Sequence, residues 1–267
     1  MTTKILWSVG LPDPDALLLH AQKMGMAGVC IRSSNANLPG AIEKFHDAGI
    51  AVYAWRWPAV QAQPGSSTHY YAIDEATYVA ETLIPLKLDG YIVDAESDPG
   101  SDVNDWNSAA LAGLAGQFCS IITTAAEMAG LADFRFGLTS GCNYPSAAGR
   151  PNIPWKEFSA TADTLYPQCY WRWTNPTTGK PQNINGGTPS AAIKTGLAAW
   201  NPISGGKPVI PMAGELNLLT PDELSAYATA VLGIASELHF YTDDPSLSDA
   251  TMELINSLEQ NVNDSIA

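Results

Sequence analysis

The sequence predicts one closed (β/α)8 barrel, an α/β fold of the TIM-barrel class, filling residues 1–267 as a single domain. Three observations predict it. Short apolar runs alternate with amphipathic helical stretches along the chain, the pattern of parallel strands joined by helical crossovers. The length of 267 residues suits one such barrel, which typically needs about 250. No G-x-G-x-x-G or P-loop is present, as an open doubly wound sheet would usually carry.

Residues 4–9 form the first apolar run, and Asp13-Pro-Asp opens a helix with acids in its first turn, where they complement the helix dipole. Leu17, Leu18, Ala21 and Met24 make its buried stripe. Strand two is expected at 28–33, helix two at 39–48, and strand three at 50–57. A helix over 70–86 precedes strand four at 88–95. A long helix is expected over 103–129, with Leu111, Leu114, Phe118, Ile121, Ile122 and Ala125 at helical spacing. Strand five follows at 134–140, a short helix at 155–160 and strand six at 164–171. The polar stretch 172–189 leads to a helix ending near Trp200. Strand seven is expected at 208–213. Thr220-Pro-Asp-Glu223 is a capping box opening helix seven. Strand eight at 238–242 and a helix over 246–260 complete the pattern.

Composition narrows the function. The formal net charge is −14, from 13 basic and 27 acidic residues. No Lys/Arg cluster offers a basic face, which argues against nucleic acid and anionic membranes as partners. No apolar run is read as reaching the ~18 residues of a membrane span. The N-terminal residues lack a basic-then-apolar leader, so no signal peptide is expected; cytoplasmic synthesis follows, with a phage-borne or otherwise released enzyme as the expectation. Cys30, Cys119, Cys142 and Cys169 lie far apart without metal spacing, and a Cys142–Cys169 bridge stays open. The four histidines are scattered and form no H-E-x-x-H motif, so neither metal nor cofactor is expected. No G-x-S-x-G elbow is present.

In a barrel of this class the active site lies at the C-terminal strand ends. Strand four is the most informative. Ile92, Asp94 and Glu96 share one face, because side chains alternate along a strand. Neighbouring carboxylates there cost desolvation and mutual repulsion, which folds do not accept for stability. The plainer alternative has them solvated and paired with Arg32 or Arg56. The other strand ends deliver Trp7, Arg32, Trp55, Trp57, Asn143, Tyr144, Gln168, Tyr170, Trp171, Trp173, Glu215, Tyr241 and Asp243. Acids, amides and aromatics together suit a sugar, whose ring stacks on aromatic faces and whose hydroxyls bond polar groups. From these, Glu96, Asp94 and Glu215 are the catalytic candidates. Arg32, Trp55, Trp57, Gln168, Tyr170, Trp171, Tyr241 and Asp243 are the substrate-binding candidates. Trp106 and Trp200, in helical patterns, are read as core. The stretch 172–189 is expected to wall the cleft. No Lys ends a strand, which disfavours a Schiff-base aldolase.

Asp89-Gly-Tyr-Ile-Val-Asp94-Ala-Glu96 resembles the D-G-x-D-x-D-x-E signature of family 18 chitinases, departing at Ile92, where the family has an Asp. The order from Gly28 to Ser97, with C-I-R-S-S and A-G-I-A-V-Y-A-W-R-W preceding the D-x-E strand, is similar to family 25 lysozymes. Those enzymes carry an Asp at the end of strand one, where this chain has Trp7-Ser8. The resemblance implies a glycoside hydrolase acting on a β-linked N-acetylhexosamine polymer, peptidoglycan or chitin-like. It implies Glu96 as general acid and Asp94 as the carboxylate assisting the substrate's acetamido group. Glu215 instead stands where many retaining barrel glycosidases keep a nucleophile after strand seven. The rival expectation is a non-catalytic carbohydrate-binding or structural barrel in a larger assembly.

Overall fold

In the computed structural model, residues 2–61, 70–98 and 105–266 are described, the last few (259–266) by their backbone alone. Eight parallel strands form one sheet in the order β6-β5-β4-β3-β2-β1-β10-β9. They are β1 (Thr3–Ser8), β2 (Gly28–Arg32), β3 (Ala51–Arg56), β4 (Gly90–Asp94), β5 (Arg135–Gly141), β6 (Thr164–Gln168), β9 (Met212–Ala213) and β10 (Glu237–Tyr241). The sheet closes through a parallel bridge, Leu165–Val209, where Ile210 N–H donates to the Leu165 carbonyl at 2.8 Å. The helices wrap the outside: α1 (Pro14–Lys23), α2 (Leu38–Asp47), α3 (Tyr71–Tyr78), α4 (Ala112–Met128), α5 (Trp155–Thr161), α6 (Pro189–Trp200), α7 (Pro221–Leu232) and α8 (Asp249–Ile266). This is the α/β barrel that the alternation predicts.

Local chemistry sets the boundaries. Asp13 caps α1 by accepting from the Asp15 and Ala16 amides. The Thr220–Glu223 capping box opens α7, with both reciprocal bonds made. Along β4 the facing of Tyr91 and Asp94 alternates as expected. Tyr91 packs outward on Phe118 of α4 and on Phe136, while Asp94 faces the barrel mouth.

Several expectations are corrected. The helix expected over 103–129 begins only at Ala109, as a short 3-10 turn before α4; residues 103 and 104 lie outside the described ones. Trp106 is therefore in a loop, yet it is core: fully buried, packed edge-on against Phe158 and donating to the Pro58 carbonyl. The helix from Tyr71 passes through a π turn at Val79–Leu83 and a 3-10 turn at Ile84–Leu86. Strand six stops at Gln168, and strand seven is ordered as a strand only at Met212–Ala213. The polar stretch after β6 holds an antiparallel hairpin, β7 (Arg172–Thr174) with β8 (Pro181–Asn183). The helical run Ala109–Met128, with mean hydropathy 1.5, is long and apolar enough by composition to cross a membrane, against the sequence expectation. Its stripe of Leu114, Phe118, Cys119 and Ile122 is instead packed into the barrel's core. All four cysteines are reduced and buried, so no Cys142–Cys169 bridge exists; their sulfurs lie 3.9 Å apart.

Candidate active site

The site is built upward from β4. At its foot, the Asp89 carboxylate accepts from the Val52 amide at 2.6 Å and from His46 Nε2 at 2.8 Å, tying the strand to β3 and α2. Gly90 follows because nothing larger fits: a Cβ there would lie 2.4 Å from the Arg135 carbonyl oxygen. The first half of the Asp89–Glu96 motif is thus structural. Ile92, fully buried on the inward face, puts hydrocarbon where the resembled signature has an acid. Asp94 ends the strand at 7% exposure, and Glu96, half-buried, stands just beyond it.

Both carboxyls open into a cavity of about 400 Å³ at the C-terminal ends of the strands. The Gln168 amide donates to Asp94 Oδ1 at 3.0 Å. Asp94, Tyr144, Gln168 and the Gly141 backbone all lie close enough to Glu96 to act on its carboxyl. Burial is the largest influence on both acids. It drives Asp94 well above its ordinary range, helped by the adjacent Glu96. It pushes Glu96 up to about 7, against the lowering effect of its polar neighbours. Two neighbouring carboxyls repel when both are ionised, so the pair favours holding one proton. The alternative of solvated acids paired with Arg32 or Arg56 does not describe this pair.

Aromatic rings make the rest of the cavity. Trp7 and Trp55 lie 6.0 Å apart, and Tyr170 stacks on Tyr241 at 5.3 Å with 13° between planes. Trp55 donates to the Ser8 carbonyl at 3.0 Å, while the Ser8 hydroxyl is spent on the Gly10 carbonyl. Trp7 Nε1 donates to His239 Nδ1 at 3.0 Å. Indole is a donor only, so this bond fixes His239 as the Nε2–H tautomer. That proton faces Glu237 at 3.2 Å, and Glu237 in turn accepts from Arg135 at 2.8 Å. Burial holds His239 below its usual pKa, which keeps it neutral and an acceptor for Trp7.

Of the sequence candidates, Glu96, Asp94, Trp55, Trp57, Gln168, Tyr170 and Tyr241 line this cavity. The other four do not. Trp171 is fully buried behind the wall, against Tyr227 of α7; strand six ends early, so the residue falls on the outer side. Asp243 is paired with His20 at 2.8 Å, on the α1 side. Arg32 lies close enough to Tyr241 to act on its hydroxyl but outside the lining. Glu215, expected as a possible nucleophile, is turned to the hairpin: it accepts from the Thr174 amide at 3.0 Å and from the Thr174 hydroxyl. The cavity also recruits Trp7, Asn143, Tyr144 and Trp173, which the strand-end inventory contains, and Cys142, Ile184 and Asn185, which it does not. Among the described residues no cluster of three potential metal ligands occurs.

No family model matches the chain, and no curated protein matches it by sequence. Solved structures do match. A chitinase from Chromobacterium violaceum ATCC 12472 superposes with a TM-score of 0.66 at 8% identity, over 97% of this chain and 99% of that one. The chain shares its barrel fold. A glycoside hydrolase family 18 N-acetylglucosaminidase from Paenibacillus barengoltzii matches with a TM-score of 0.60 at 12% identity, over 97% of this chain and 99% of that one. The spore cortex-lytic enzyme SleL of Bacillus megaterium QM B1551 matches with a TM-score of 0.56 at 6% identity, over 97% of this chain and 74% of that one.

Proposed function

We propose that the protein is a glycoside hydrolase cleaving a β-linked N-acetylhexosamine polymer, chitin-like or peptidoglycan, with Glu96 as general acid and Asp94 as assisting carboxylate. The observation that carries this is the arrangement of acids. Among the described residues lining the cavity, the only carboxylates are Asp94 and Glu96, and each acts electrostatically on the other. A retaining enzyme with its own nucleophile holds its carboxyls ~5–5.5 Å apart, facing across the sugar, and an inverting one ~6.5–9.5 Å apart. Two acids two residues apart at the end of one strand, on one wall of the cavity, suit neither. They suit a reaction in which the substrate supplies the nucleophile.

In that reaction Glu96 donates its proton to the glycosidic oxygen as the C–O bond breaks. The carbonyl oxygen of the 2-acetamido group attacks the anomeric carbon from the opposite face, giving a cyclic oxazolinium ion. Asp94, having given up its share of the proton, accepts the acetamido N–H and balances the positive charge. Glu96, now ionised, takes a proton from water, which opens the ring with net retention. A pKa near 7 leaves about half of the Glu96 carboxyls protonated at neutral pH, so the group can both give and take a proton. Trp7, Trp55 and Tyr241 supply apolar faces for the pyranose ring. The names of the chitinase and of the family 18 N-acetylglucosaminidase above agree with this substrate class. Release of reducing sugar from N-acetylchitooligosaccharides and peptidoglycan, wild type beside Glu96→Gln, tests the reading. Turnover lost in the variant, with sugar binding kept, supports it. Binding without turnover in the wild type would make the chain a carbohydrate-binding barrel instead.

A further inference from the structure

We propose that the β7–β8 hairpin is a second sugar-binding site at the lip of the cavity, with Trp173 as its platform and Glu215 as the residue that positions it. This rests on the glycan reading above and adds where the next residue of the chain would sit. Alternation along β7 gives the hairpin two faces. Arg172 and Thr174 share one, and both are fastened to the segment around the start of α7. Arg172 pairs with Glu223 at 2.8 Å, and the Glu215 carboxylate accepts from the Thr174 amide through both oxygens, at 3.0 and 3.1 Å. Trp173 takes the opposite face and lines the cavity. At the base, the Asn185 amide donates to the Tyr170 carbonyl at 2.8 Å, and Tyr170 also lines the cavity.

Two further observations point to a ligand. Trp173 is 37% exposed, whereas Trp7 and Trp55 in the same cavity are 2% and 8% exposed. A tryptophan left this open on a short hairpin tied down at three places is held for something outside the protein. The cavity itself, at about 400 Å³, is near the small end of the ~300–1,000 Å³ typical of ligand sites. A polymer entering it must continue past the lip, where the Trp173 ring stands. Glu215 thus acts through Thr174 and is a positioning residue.

The test measures affinity by calorimetry in the Glu96→Gln background, for N,N′-diacetylchitobiose and for N-acetylchitotetraose. Adding Trp173→Ala is expected to weaken tetrasaccharide binding about tenfold and disaccharide binding less than twofold, as loss of one aromatic stack would. Trp173→Tyr is expected to restore most of the loss. Glu215→Ala is expected to reproduce the length-dependent loss and to speed amide exchange in residues 172–174 and 181–183. Equal effects on the two sugars, or none on either, would overturn the proposal. Tetrasaccharide bound in this length-dependent way without wild-type turnover would sink the hydrolase reading alone and leave the hairpin site standing.

Discussion

Glu96→Gln should make the protein more stable at alkaline pH while it abolishes the proposed chemistry. Folding raises the Glu96 pKa from 4.5 to about 7, chiefly through burial. The folded state therefore binds this proton more tightly than the unfolded chain. The corresponding stability is fully present below pH 4.5 and is lost as pH rises through 7. The rise from 4.5 to about 7, at ~1.4 kcal/mol per pKa unit, corresponds to about 3–4 kcal/mol. Asp94 is displaced in the same direction, so the pair reinforces the trend. Glutamine keeps the shape and hydrogen-bonding reach of Glu96 but never ionises. At pH 8 the variant should gain up to about 3 kcal/mol, a rise in Tm of roughly 6–10 °C for a chain this long. At pH 4.5 the gain should vanish. Scanning calorimetry of both proteins from pH 4.5 to 8 reads the difference, and subtraction removes every other titrating group. A gain equal at both ends of the range, or a loss at pH 8, would mean that folding does not raise the Glu96 pKa.

The same displacement sets the activity profile: hydrolysis should fall on the alkaline side with an apparent pKa near 7, as Glu96 loses the proton it must donate, and a rate flat to pH 9 would contradict this. Asp94→Asn should lower kcat by roughly 10²–10⁴, read on N-acetylchitooligosaccharides. His239→Phe removes the acceptor for Trp7 Nε1 and a partner of Glu237; urea unfolding should show a loss of about 1–3 kcal/mol. Gly90→Ala drives a Cβ to 2.4 Å from the Arg135 carbonyl, a backbone clash that should cost about 1–3 kcal/mol or more in the same assay.

The barrel was legible because its signals are local and repeated. Apolar runs of strand length alternate with helical periods, and the caps at Asp13 and Thr220 mark two helix starts outright. What failed had weak local signals. Residues 105–108 carry no helix breaker, so the helical period of α4 extends backward in the sequence, whereas Trp106 is held in its loop by tertiary contacts with Pro58 and Phe158. The hairpin shows no hydrophobic alternation, because one face of β7 is polar and fastened to acids distant in sequence; Asn175-Pro-Thr-Thr-Gly179 was its turn signal. At the site, the strand-four acids were legible from alternation alone. Trp171 and Tyr170 are adjacent in sequence, and only the early end of β6 decides that Tyr170 lines the cavity while Trp171 packs behind it. Glu215 looked like a nucleophile by position after strand seven. Its neighbour Thr174 is 41 residues away in sequence, a partner no local pattern supplies.

In the proposed mechanism, Asp94 and Glu96, side by side on one wall, leave the substrate to bring its own nucleophile. Proton NMR of N-acetylchitotetraose hydrolysis, run beside the fully de-N-acetylated tetrasaccharide, tests it most directly. Only the acetylated chain should be cut, and the first product formed should be the β-anomer. Cleavage of the deacetylated chain at a comparable rate, or an α-anomer appearing first, would contradict it.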